Sequence, residues 1–381
     1  MKNYSEELIA LRHHLHRHPE LSTYEHHTAE LVQKYLNKLS PTELFTGIGG
    51  KGIVAIFDSG KQGKSVAFRA ELDALPICET NSFEYHSEKP GIAHLCGHDG
   101  HTTILMGLAH WLSSNLSQWT GRAILIFQPA EETAEGAKAM LKDPRFISLK
   151  PDYLFALHNL PGFEIGSLIL REGIFASATC GLKLKLIGKT SHAAYPKEGN
   201  NPQEAMFTIT RELEALPYKV LGAETSALVT IIHLRLGEIA FGTTPGEAEV
   251  MATFRAHAYN DLQSMMLMAK TTIADLAQSF NLQYTIDWVE EFASVVNDPD
   301  ALSLVSRAAK KLNLKTITPD SPFPWSEDFS FFSQHYPSAL FGLGAGLNHP
   351  QLHRPDYDFP DELLPLGISI FAELLSRAEL C

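Results

Sequence analysis

Cysteine is scarce in this 381-residue chain, and the four thiols (Cys78, Cys96, Cys180 and Cys381) lie far apart with no C-x-x-C pair. That spacing excludes a disulfide-stapled scaffold and fits a reducing compartment. No apolar run approaches the roughly 18 residues that read as a membrane-spanning helix. The opening MKNYSEELIALRHHL carries glutamates where a signal peptide has its apolar centre. Cys381 is the last residue rather than fourth from the end, so no prenylation box is expected. Basic excess is also missing: 31 Lys and Arg face 44 Asp and Glu, a formal charge of −13. An acidic chain without a basic run is a poor match for nucleic acid or an anionic membrane. H-E-x-x-H, G-x-S-x-G and G-x-x-x-x-G-K-[ST] do not occur. Their lack excludes a helix-borne zinc protease of that type, a nucleophile elbow and a phosphate loop. The expectation is a cytoplasmic globular protein of about two domains, at roughly 150 residues each.

What is present is a change of pattern along the chain. Leu8, Leu11 and Leu15, then Leu31, Tyr35, Leu36 and Leu39, recur at helical spacing, as do Ile104, Leu108 and Leu112. Gly52–Phe57, Ser65–Arg69, Ala123–Phe127 and Tyr153–Leu157 read as short buried strands between them. This alternation predicts an α/β domain with a largely parallel sheet flanked by helices. A strand over Gly181–Ile187 and a helix opened by Pro202 then begin a different unit. Strands over Ser226–Leu234 and Glu247–Ala256, a helix over Asp261–Phe280 and a strand over Leu282–Val289 complete it. The order β-α-β-β-α-β is that of a small α+β domain. The α/β pattern resumes at Pro299, with a strand at Ala339–Leu343 and a helix at Leu363–Leu375. The expected organisation is one domain over 1–178 and 292–381, interrupted by a smaller one over 179–291.

Four clusters carry chemistry. The first, His94 to His101, contains Cys96 and His98 two positions apart, so an extended segment would present thiolate and imidazole on one face. Those donors suit zinc or a neighbouring transition metal. The second, Gln128 to Glu132, ends a strand, where α/β sheets place ligands. Adjacent side chains diverge there, so one of Glu131 and Glu132 can bind metal while the other acts as a general base. His158-Asn159 follows another strand, and Asn348 to Pro355 carries His353 in a late loop. Taken singly, each is more often a core or solvated residue. Together the donors exceed a closed structural tetrahedron and fit two metals, or one with open positions. Six histidines in the first 27 residues (His13, His14, His16, His18, His26 and His27) do not share a face and are expected to be solvated.

These residues resemble a known family. RHPELSTYE (Arg17–Glu25), FRAELDALP (Phe68–Pro76), CGHDGH (Cys96–His101), FQPAEE (Phe127–Glu132), ALHN (Ala156–Asn159), GKTSHAAYP (Gly188–Pro196) and the late His353 are similar to motifs of the metal-dependent aminoacylase and amidohydrolase family. That family includes hippurate hydrolase, auxin-conjugate hydrolases and N-acetyldiaminopimelate deacetylase. The resemblance implies a catalytic domain interrupted by a lid and dimerisation domain, and hence a homodimer or higher homo-oligomer. It implies two divalent ions per subunit, of the zinc, manganese, cobalt or nickel kind, on Cys96, His98, Glu132, His158 and His353, with Cys96 bridging. Glu131 would be the general base. Asp73 would orient a ligand, His192 would polarise the scissile carbonyl, and Arg255 would meet the substrate carboxylate. The implied reaction is hydrolysis of an N-acyl amino acid, with dipeptide cleavage or a non-catalytic metal-binding role as alternatives. Glu71, Lys197, Asn201 and Gly242, with Thr243 and Thr244, depart from the family pattern.

Overall fold

The structure, a computed structural model, describes residues 2–377; Cys381 lies outside them. The chain forms two compact units. The larger is built from the described residues up to Phe175, from Val295–Ser321 and from Glu327 onward. The smaller comprises Ala176–Ser294 and Pro322–Ser326.

In chain order the first strands are β1 (Glu43–Ile48), β2 (Gly52–Asp58), β3 (Ser65–Glu71), β4 (Arg122–Gln128), β5 (Tyr153–Pro161), β6 (Leu168–Ile169) and β7 (Gly173–Ala176). They are followed by β8 (Ala178–Ile187), β9 (Leu228–Leu236), β10 (Glu247–Ala256), β11 (Gln283–Phe292), β12 (Val295–Asn297), β13 (Thr316–Ile317) and β14 (Ser338–Gly346). The helices begin with α1 (Lys2–Arg17), α2 (His26–Lys38), α3 (His98–Ser114), α4 (Gly136–Lys142) and α5 (Pro144–Ile147). Then come α6 (Gln203–Leu221), α7 (Tyr259–Ser279), α8 (Pro299–Lys311), α9 (Phe329–Ser333) and α10 (Leu363–Arg377).

The larger unit holds an eight-stranded sheet in the order β1-β2-β4-β3-β5-β14-β6-β13. Its centre, β4-β3-β5-β14, is parallel, as the alternation predicted. These strands are apolar runs because helices cover both faces of such a sheet. Antiparallel pairing enters towards the edges, at β1–β2, β2–β4 and β14–β6. Phe68, Phe155, Phe341 and Phe371 anchor the core between sheet and helices, with Ile104 and Leu108 of α3 against them. The sheet carries β5 past the predicted end. Pairing with β14 continues from Leu157 to Pro161, so His158 and Asn159 lie inside the strand rather than after it.

The N-terminal histidines depart from their expectation as a solvated face. His14, His26 and His27 are exposed, but His16 is fully buried and Arg12 with it. Leu8, Arg12, Leu15 and His16 fall on one stripe of α1, and that stripe faces inward.

The smaller unit is an antiparallel sheet in the order β11-β8-β10-β9, in the β-α-β-β-α-β sequence predicted. Strand β10 alternates buried and outward residues, and α6 and α7 cover its inner face. Leu184, Leu186, Val250, Phe254, Ile209 and Ile273 meet in its own core.

Candidate metal centre and active site

Cys96 and His98 do not share an extended segment. Gly97 between them is left-handed, with φ 92°, and caps α3, whose first residue is His98. Any side chain at 97 would also collide with Asn159. The reversal at glycine, not a β pleat, aims both donors inward, since only glycine takes that φ without strain. Cys96 Sγ lies 3.5 Å from His158 Nε2, and the two with His98 form one group of donors within 4.8 Å of each other.

The acidic pair follows β4 after a turn in which Ala130 also has positive φ, 50°. Glu132 Oε1 is 3.9 Å from His98 Nε2, and its Oε2 is 3.7 Å from His353 Nε2. Cys96, Glu132 and His353 form a second group of donors within 4.8 Å, and His98, Glu131 and Glu132 a third. The structure thus brings Cys96, His98, Glu132, His158 and His353 into overlapping clusters with Glu131 beside them. Glu131 is buried, and its Oε1 accepts the backbone N–H of Asp328 at 3.2 Å. Asp73 is fully buried under the rim. Its Oδ2 accepts the Glu132 backbone N–H at 3.0 Å and the Ser22 hydroxyl at 2.7 Å. Its carbonyl oxygen is 2.9 Å from His98 Nδ1, a bond that fixes the ring and leaves Nε2 facing the cluster.

Electrostatics match a cation. Burial and the neighbouring carboxylates push both Glu131 and Glu132 above the usual carboxylate range. Burial, and then Glu132, likewise push the Cys96 thiol upward. Burial lowers His158 to about 3, and partial desolvation lowers the half-exposed His353 to about 4, so both rings are neutral and able to ligate at neutral pH. His98 Nε2 and Glu132 Oε1 are buried without a hydrogen-bond partner. Buried polar atoms are rarely left so. A donor set of thiolate, imidazoles and carboxylate that lacks only positive charge fits a divalent transition metal.

Beneath this rim runs a buried network that sequence reasoning passed over. Arg69, on β3, contacts Glu71 with Nη1 and donates through Nη2 to Glu327 at 2.8 Å and Asp328 at 2.7 Å. Its Nε donates to Gln128 at 2.8 Å. Glu71 continues to His101 Nδ1 at 2.7 Å, and His101 Nε2 to Asn159 Oδ1 at 2.5 Å. The sequence held one signal: an arginine and a glutamate inside the otherwise apolar strand SVAFRAE, where burial requires partners. Ser326-Glu327-Asp328-Phe329 offered none beyond an acidic turn.

His192 and Arg255 belong to the smaller unit. His192 is exposed in the segment after β8, bridged to Thr243, and its Nδ1 accepts the Ala194 backbone N–H at 3.1 Å. Arg255 lies half-buried on β10, its Nη1 donating to the Pro324 carbonyl at 2.9 Å.

With this fold and site in hand, comparison with known proteins places the chain. It belongs to Peptidase family M20/M25/M40, whose model matches residues 67–377, and is a hydrolase of that metal-dependent family. It is 30% identical over 370 residues to hippurate hydrolase of Campylobacter jejuni, covering 97% of this chain and 95% of that one. It is also 30% identical over 375 residues to N-acetyl-L-cysteine deacetylase of Bacillus subtilis, covering 97% and 88%. Among solved structures, a Bacillus subtilis dinuclear metal binding peptidase from the M20 family superposes with a TM-score of 0.82 at 27% identity, covering 98% of each chain. Among the described residues no helix is long and apolar enough to cross a membrane.

Proposed function

We propose that the protein hydrolyses the amide bond of N-acyl amino acids, with two divalent ions per subunit held by Cys96, His98, Glu132, His158 and His353. The observation that carries this reading is the pairing of the half-buried Glu132, within reach of His98 and His353, with a second, buried carboxylate, Glu131, at 4.0 Å from His98 Nε2. A purely structural site has no use for the extra base. The hippurate hydrolase and deacetylase relatives support the substrate class.

When bound, the metal supplies Lewis acidity, which polarises a carbonyl and acidifies water. Glu131 takes the water proton at Oε2, while Asp328 N–H holds its other oxygen, and then returns that proton to the leaving nitrogen. Asp73 keeps His98 Nε2 directed at the cluster. His192 adds a donor to the developing oxyanion, and Arg255 receives the substrate carboxylate. The smaller unit pairs two copies into a homodimer. Edge strand β9, with Leu228, Ile232 and Leu234 exposed, supports that role.

Assays on N-acetyl amino acids, N-benzoyl amino acids and dipeptides, with and without added metal, test the reading. Metal-dependent turnover of the acyl series is expected. Preference for dipeptides would replace it with a dipeptidase on the same core, and no turnover with metal bound would remove catalysis altogether.

A further inference from the structure

The metal-ligand candidates come from segments far apart in the chain, and something must hold those segments in register. His98 opens α3, whereas His353 sits in the loop that leads to Asp361. The backbone gives one direct tie, from His353 N–H to the Leu95 carbonyl at 2.8 Å. The larger tie comes from the histidine-rich N-terminal helix, which the proposed reaction does not use.

Arg12 of α1 is fully buried. Its Nη1 donates to Asp358 at 2.6 Å and to Asp99 at 3.3 Å, and its Nε donates to Asp361 at 2.8 Å. Asp99 follows His98 directly in α3, and Asp358 and Asp361 close the loop that carries His353. His16, one turn further along α1, lies with Nδ1 2.9 Å from the same Asp99 oxygen and Nε2 3.0 Å from Glu79. The Tyr85 hydroxyl donates to the second oxygen of Asp358 at 2.6 Å, and its ring packs under the guanidinium at 4.7 Å.

We infer that Arg12 is a positioning residue for the metal centre: one buried guanidinium clamps the α3 N-terminus that bears His98 to the loop that bears His353. The inference rests on the proposed metal ligands. A planar, pre-organised fork with donors on several edges holds three carboxylates in a fixed arrangement, whereas a lysine offers a flexible point charge and a neutral side chain no charge at all. Without it, Asp358 and Asp361 repel each other and Asp99, and the loop moves away from α3, taking His353 with it. Partners one layer behind metal ligands are known to tune metal affinity by about 10- to 100-fold.

Zinc titration of the full-length, metal-free protein against a chromophoric chelator tests this. Arg12→Gln should weaken zinc binding at least tenfold while the metal-free protein still melts cooperatively. A merely structural role would lower the melting temperature and leave zinc affinity alone. Asp358→Asn with Asp361→Asn loosens the same loop without leaving Asp99 unpaired, and it decides the matter should Arg12→Gln fail to fold. A loss of tenfold or more in Arg12→Gln, or of threefold or more in the double variant where Arg12→Gln does not fold, supports the clamp; a smaller loss in the variant that decides overturns it. Cys96→Ser and His98→Ala keep the two readings separable. If they abolish zinc binding while the clamp variants do not weaken it, the ligand assignment stands and the clamp falls. If the parent chain binds no zinc, both fall.

Discussion

Cys96 Sγ lies 3.5 Å from His158 Nε2, although one residue precedes a helix and the other lies mid-strand, 62 positions later. A buried thiol beside a neutral imidazole, with carboxylates close by, is held in its protonated form. A cation at bonding distance would reverse that preference and shield the sulfur. Cys96 is therefore expected to resist a thiol reagent completely in the metal-loaded protein, where the sulfur is bonded, and to label slowly after chelation, through the small thiolate fraction that its raised pKa leaves. Exposed Cys78 serves as the internal reference. Equal labelling of Cys96 before and after chelation, read by peptide mass spectrometry, would count against ligation.

Glu131→Gln should keep its metal and lose at least about a thousandfold in kcat, because one carboxylate performs both proton transfers. Metal content by elemental analysis accompanies the kinetics. More than a tenth of parental kcat at full metal occupancy would remove Glu131 from that role.

His192→Ala should lower kcat more than it weakens substrate binding, since an oxyanion exists only in the transition state. A loss of roughly a hundredfold is the scale of one oxyanion donor. Mixing Glu131→Gln with His192→Ala protein asks whether the histidine serves a partner's site. Recovered activity after subunit exchange is the expected result. No recovery, with exchange demonstrated, would favour action within one subunit, and parental kcat in His192→Ala would end both accounts.

The acidic neighbours of His16 should make stability fall with rising pH. Burial alone would lower this imidazole, but Asp99 and Glu79 raise it to about 9. A proton held more tightly in the folded state stabilises fully below the unfolded value of about 6.5 and is lost as pH passes the folded value. The shift corresponds to roughly 3 kcal/mol. Urea titration of metal-free protein at pH 6 and pH 9.5 should show that decline in the parent and a flatter profile in His16→Gln. Parallel profiles in the two proteins would contradict the assignment.

Part of this was legible in the sequence because the acidic pair sits just past the end of an apolar run. Ala123–Phe127 announces β4 and so locates Glu131 and Glu132. The alternation of Leu182, Leu184 and Leu186 announces a half-exposed strand of a different unit. Other features depend on pairing across the chain and leave no local trace. The extra length of β5 comes from its parallel partner β14, and the approach of Cys96 to His98 comes from one left-handed glycine. Arg12 left no trace for a related reason, and Arg69 only the sign that a charge inside an apolar strand needs partners. A buried arginine is explained only by its carboxylates, and those lie up to 349 positions away.

The position of β14 has a consequence for how the chain must be made. This strand lies between β5 and β6 in the sheet, yet residues 162–337, including the whole of the smaller unit, are synthesised first. At ~5–20 residues per second, β5 therefore waits on the order of ten seconds or more with one hydrogen-bonding edge open. The smaller unit has its own core and a nearly contiguous sequence, so it can fold on the ribosome during that interval. The larger unit cannot close its sheet, nor bring His353 to the other donors, until almost the whole chain has emerged. A nascent β5 with an apolar, unpaired edge is an adhesive surface for other chains. Holding it apart until β14 arrives is a task for a chaperone, and production of this protein should depend on one more than its finished stability implies.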